Sequence, residues 1–246
     1  LLDIEEGGIL EIKGDWFQDH PNSITQKGGR IVFDGDSIVQ HPFAGQIVFP
    51  RLQVNPGARV VFPSQGIKVQ GIVDIGDGAD VVAPGFINCT GTGFISIFPP
   101  GVAKLRIASG VRRLSPNVVV TEKFELEPGA ELEVGDNDSL TVEGDADFEG
   151  VLNSIGASFA NERLTVLGDV NATGTFLDES SSFFGVRIDC GGDWFSTTSF
   201  DTRGLDLDVH LIGPTTSVIS GDVRLRDMEV DQQSIAELGT GTFVFE

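Results

Sequence analysis

The chain has 246 residues, 40% of them apolar, with 37 acidic side chains against 16 basic ones and a formal net charge of −21. That length and apolar content fit one large packed domain or two ordinary ones and exclude a disordered chain, and no apolar run approaches the ~18 residues of a membrane-spanning helix. The acid excess repels phosphate backbones and anionic lipid surfaces, so neither nucleic acid nor membrane insertion is expected.

In chain order, the opening LLDIEEGGILEIKGDW is strand-like and has neither a leading Met nor a signal-peptide pattern. RIVF at 30–33, RLQV at 51–54, GFISIF at 93–98, NVVV at 117–120, KFELE at 123–127 and HLI at 210–212 follow. All are short, rich in Val, Ile or Phe, and punctuated by Gly, Pro, Asn and Asp, which is the signature of strands between turns. Residues 86–117 are less regular and predict a coil with longer loops. IGASFANERL at 155–164 and MEVDQQSIAEL at 228–238 are the longest helical candidates. Neither has a capping box or a long apolar stripe, so each predicts a turn or two at most. The chain ends inside another strand-like run, GTFVFE, and reads as a piece of a longer protein.

A repeat organises these runs. GDADFEGVL, GDVNATGTF and GDWFSTTSF open at Gly144, Gly168 and Gly192, a step of 24 residues each time. Before them stand Leu140 and Val142, Leu164 and Val166, Ile188 and Cys190; after the glycines stand Asp145, Asp169 and Asp193. The phrase recurs earlier as Leu10-Glu-Ile12-Lys-Gly14-Asp15-Trp16 and Ile67-Lys-Val69-Gln-Gly71, and RLQVNPGARVVFP at 51–63 matches KLRIASGVRRLSP at 104–116. Physically, two alternate residues point inward from a strand, Gly makes a corner that a Cβ would crowd, and Asp bonds turn amides. A unit this small cannot bury its own apolar face, so units must stack. The expectation is a single all-β domain, a parallel β-solenoid with coils of roughly 24 residues. That makes about ten coils and, at ~4.8 Å per strand, a rod about 48 Å long. A β-sandwich, or a pair of them, is the competing arrangement.

No constellation of side chains points to catalysis. The Asn-x-Asp, Gly-His-Gly and Arg-x-Lys phrases of the β-helical enzymes that hydrolyse polygalacturonan are all missing. With 37 acids a carboxylate pair can always be chosen, and Asp145, Asp169 and Asp193 recur in every copy, which fits turn capping better than a site needed once. His20, His41 and His210 have no metal-ligand spacing, and there is no Cys-x-x-Cys. GDGAD at 76–80 and GDNDS at 135–139 read as solvated turn acids; a weak calcium site, if one exists, falls on Asp136 and Asp138. No other cofactor is expected. Cys190 takes the place of Val142 and Val166 and reads as a small inward hydrophobe, and a rod disfavours a bridge to Cys89. Trp16 and Trp194 read as core or coil-edge fillers, with a sugar-stacking platform as the alternative.

The order GDWF…GGRIVFDGDSIVQHPFAGQIVFPRLQVNPGARVVFPSQGIKVQGIVDIGDG resembles a pattern in large repetitive surface proteins and adhesins of gliding Gram-negative bacteria exported by the type IX secretion route. Gly14, Asp15, Trp16, Phe33, Gly35, Gln40, Phe49, Leu52, Val54 and Gly71 fill the places of that pattern. A second pass from Gly192 matches Gly-Asp-Trp and then Gly213, without the Phe and Gln. The resemblance covers about half the chain and implies secretion and a repetitive, non-catalytic role at the cell surface. An extracellular structural or adhesive module is therefore the first expectation. Its partners would be neighbouring repeats of one long chain and surface polysaccharide. The alternatives are a carbohydrate-binding or carbohydrate-degrading β-helix and a self-assembling filament or sheath subunit.

Overall fold

The computed structural model describes residues 2–18, 24–26, 28–42, 45–156, 163–179, 186–201, 207–212 and 216–245. Among them there is no helix, and the strand pairings are parallel, which removes the antiparallel sandwich and leaves a β-solenoid of about ten coils averaging about 21 residues. Each coil has three faces. The first begins with Ile9–Ile12, Arg30–Phe33, Leu52–Val54 and Val73–Ile75, and the second with Trp16–Phe17, Asp36–Gln40, Arg59–Val61 and Asp80–Val82. The third begins with the paired Leu2–Ile4 and Ile24–Gln26 and continues, as part of the large sheet, with Ile47–Phe49, Ile67–Val69 and Ile87–Cys89.

Alternation decides what lies inside. On the third face one hydrogen-bonded register runs Ile47, Ile67, Ile87, Leu105, Phe124, Ala146, Val170, Trp194, Ile219, Leu238. All but the last are buried. Ten rungs at the spacing of parallel strands span about 43 Å. Side-chain volume is shared within a rung: Ala146 stands two residues before Phe148, and Trp194 two before Ser196, so a large inward residue sits beside a small one. Near the N-terminal end Phe33, Phe49 and Phe62 meet in the middle, with ring centroids 5.8–6.2 Å apart, closing the interior with one ring from each side.

The 24-residue spacing is local. It holds where Leu140 faces Leu164 and Leu164 faces Ile188, but Ile31 faces Leu52 and Leu52 faces Val73 at steps of 21, and Ile87 faces Leu105 at 18. The cause is visible in where the repeated phrase falls. Leu10 to Gly14 turns the first face into the second, Ile67 to Gly71 the third into the first, and Leu140 to Gly144 the second into the third. The phrase encodes a corner, not a coil, so its offsets need not equal the coil length. The 53-residue match likewise carries Leu52 of the first face onto Leu105 of the third, which is not a whole number of coils.

Two expectations about segments are corrected. The stretch 86–117 holds most of the two longest strands, Gly93–Ile107 and Gly110–Leu126, which bend through the corners without a break in pairing apart from local register shifts, and has no long loops. Residues 228–238 form strand, turn and strand, with Asp227–Val230 and Ile235–Leu238 continuing the second and third faces. Stacking on the coil below supplies their backbone hydrogen bonds, and no helix is needed. The other helical candidate lies largely outside the described residues, as do His20 and Gly213.

Candidate functional site

The Gly-Asp corners are structural. A Cβ on Gly144 would collide with the Glu122 carbonyl oxygen, and one on Gly168 or Gly192 would lie 2.7 Å from the backbone of the corner below. The aspartates bond upward, not within their own turns. Asp145 Oδ1 accepts the amide of Asp169 at 2.9 Å, Asp169 Oδ1 that of Asp193 at 2.8 Å, and Asp193 Oδ1 that of Val218 at 2.7 Å. Asp15 does the same for Ile38 N at 2.9 Å. Each carboxylate thus satisfies a backbone donor of the next coil, at the corner for Asp169 and Asp193 and within a strand for Ile38 and Val218. Leu140, Val142, Leu164, Val166, Ile188 and Cys190 are all buried beneath this stack.

Cys89 and Cys190 are free and buried, and burial pushes their thiols up to about 11 and about 12, which leaves them protonated at neutral pH. Trp194 is 1% exposed and packs edgewise on Phe200 at 6.2 Å, so it offers no face to a sugar; Trp16 is half-buried against the core. Phe17 and Phe195, the next residues, are exposed, as are Phe94 and Phe245, but Phe17 and Phe195 stand on different faces. Asp138 turns inward and accepts Gly135 N at 2.9 Å, with burial raising its carboxyl above the usual range. That spends an oxygen which a calcium site at Asp136 and Asp138 would use. Among the described residues no three His, Cys, Asp or Glu side chains converge as metal ligands.

Two charged centres escape sequence reasoning. Arg112 lies wholly inside, with Nη2 donating to Val69 O at 2.9 Å and to Thr90 O at 2.6 Å, and Nη1 donating to Gly71 O. Burial pulls its pKa down, and carbonyls from two coils take the place of a carboxylate partner. Gly93, opposite Arg112 in register, makes room: a Cβ there would lie 3.2 Å from Nη1. The other centre covers the outer side of the second face. Asp189, fully enclosed, accepts Arg187 Nε at 2.8 Å and Arg163 Nε, while His210 Nδ1 lies 2.9 Å from the same oxygen that Arg187 holds. Burial pushes its carboxyl up, but the hydrogen bonds from Arg187, His210 and Arg163 outweigh that and hold it below the usual carboxylate range. The signal was present, since Arg163 and Arg187 share the 24-residue step.

Shallow grooves mark the outside. One of 260 Å³ crosses the first rungs of the first face, over Ile9, Arg30, Arg51, Ile72, Gln53 and Asp74. A second of 330 Å³ lies between Val82 and Thr121, and a third of 160 Å³ is rimmed by Glu125, Glu127, Asp147 and Glu149. Glu125 and Asp147 are partly neutralised by Arg106 and Lys123, at 2.6 and 2.8 Å. Compared with protein families, characterised proteins and solved structures, the chain matches none.

Proposed function

We propose that the protein is a non-catalytic structural and adhesive module of a large bacterial cell-surface protein, extracellular and built to hold reach and present its faces. The observation that carries this reading is the ten-rung register from Ile47 to Leu238 on one face, filled by buried apolar residues up to its last rung. Such a stack is stiff along its axis because every rung is hydrogen-bonded to the next, and its length grows with the number of coils. The acid excess keeps neighbouring copies apart in solution while leaving wide outer faces for weak repeated contacts.

Small-angle scattering together with an assay for sugar release from a panel of cell-surface and plant polysaccharides tests the proposal. The expected result is the profile of a rod whose axial length exceeds its width, with no reducing ends released. A compact, near-spherical profile, or turnover of any polysaccharide, would overturn it.

A further inference from the structure

We propose that the groove over Ile9, Arg30, Arg51 and Ile72 binds a glycan carrying an isolated carboxylated sugar, whose carboxylate sits between the two guanidinium groups. This takes its setting from the surface-module reading and names a ligand class for it; the chemistry stands on the groove itself.

Arg30 follows Ile9 in register, and Ile31 faces Leu52, so Arg30 and Arg51 stand on adjacent rungs about 4.8 Å apart along the axis. Like charges placed so repel each other. Lys13 is paired with Glu11 and Asp34 at 2.8 and 3.6 Å, and Arg59 with Asp80 at 2.9 Å. Arg30 and Arg51 make no side-chain hydrogen bond or ion pair among the described residues, and both line the 260 Å³ groove. Two guanidinium groups on adjacent rungs, neither holding a hydrogen-bonded carboxylate, suit one carboxylate from a ligand.

The next outward column supplies the opposite chemistry. Gln53 gives its Nε2 to Asn55 Oδ1 at 2.9 Å, and its Oε1 is enclosed, so its amide forms part of the groove floor and offers no acceptor to a ligand. Asp74 stands beside Gln53 in register, half-buried and lining the same groove as Arg30. Asp74 is an acceptor, and it asks for a hydroxyl donor within reach of the same carboxylate. A sugar acid carries both, with a ring face to lie along Ile9 and Ile72, and Gly7, Gly8 and Gly28 keep the rim free of side chains. The net charge of −21 narrows the class further. A densely charged polyanion meets repulsion along its whole length, whereas a single carboxylate on a neutral chain meets only the groove, since more distant charges are screened beyond about 10 Å.

Titration calorimetry on the whole chain tests this with a xylose oligomer bearing one glucuronate branch. The comparison ligands are the same oligomer with the carboxylate reduced to an alcohol and a heparin tetrasaccharide. The branched acid should bind, and the reduced form and the Arg51→Gln variant should each weaken binding by about tenfold or more, as loss of a charge-assisted fork predicts. Lys68→Gln, outside the groove, should leave it unchanged. No binding by the unaltered protein, equal binding of acid and alcohol, or tighter binding of the heparin fragment would each overturn the proposal. The acid-to-alcohol comparison needs no variant to fold. A failed titration beside a rod-like scattering profile removes the ligand and keeps the module; a compact profile removes the module without touching the titration.

Discussion

At Gly144 the corner leaves no room for a side chain, because the Glu122 carbonyl occupies the place of the Cβ, while at Gly14, in the first coil, a Cβ would meet nothing within 4 Å. Gly144→Ala should therefore lower unfolding stability by about 1–3 kcal/mol, and Gly14→Ala by less than about 0.5 kcal/mol, read from urea midpoints. The aspartate beside each glycine contributes through its acceptor oxygen, not its charge. Asp169→Ala should cost about 0.5–1 kcal/mol by stranding the Asp193 amide, and Asp169→Asn, which keeps an oxygen there, should recover most of it. The inward pairs and the crowded glycines were legible because strand alternation and corner sterics act on neighbours in the chain. The upward direction of the aspartate bonds was not, since it depends on how far one coil is displaced from the next. Nor was the pairing of Arg30 with Arg51, which precede the inward Ile31 and Leu52 at a 21-residue step hidden by the more conspicuous 24-residue one.

At the scale of the strand and its corner, two charged groups fasten coils together in opposite ways. Arg112 holds carbonyls of Val69, Gly71 and Thr90 from inside. Arg112→Met fills much the same space but leaves those carbonyls without a donor. Removing one side of a buried polar cluster predicts a loss of about 3 kcal/mol or more, measured by denaturant melting, with Arg112→Lys falling between. Asp189 works from outside and adds a pH dependence. Its carboxyl is held below its unfolded value by Arg187, His210 and Arg163, so the native state binds that proton less readily than the unfolded chain does. The stabilisation is complete above the unfolded pKa of about 3.9 and is lost as pH falls through the lower, folded value. Acid titration of thermal stability should show this loss below pH ~4 in the unaltered protein, and Asp189→Asn should flatten it. If both proteins lose stability in parallel there, the carboxylate is not the group responsible. Sequence periodicity gave no sign of the Arg112 centre, and at Asp189 the 24-residue step of Arg163 and Arg187 marked two partners without showing that they converge, because each centre draws partners from more than one rung.

The whole molecule is set by how corners accumulate, and this gives its sharpest test. If a coil is the unit of folding, the chain should tolerate removal of one complete turn and reject removal of half a turn. Deleting residues 145–168 joins Gly144 to Asp169, replaces one Gly-Asp junction by an identical one, and brings Leu140 and Val142 opposite Ile188 and Cys190, whose present partners are Leu164 and Val166. The shortened chain should fold, keep its parallel-strand circular dichroism, and lose about 4.8 Å of axial length by scattering. Deleting residues 145–156 instead would place the next inward residues on the wrong face, and an aggregated or unfolded product is expected, because inward alternation and corner sterics then conflict at every later rung. The contrast also separates local from global order. Were the 24-residue step a strict period of the whole chain, any 24-residue excision would serve; the structure instead requires that the cut match the local coil. Removing residues 32–55, where the step is 21, should fail for that reason although it has the same length.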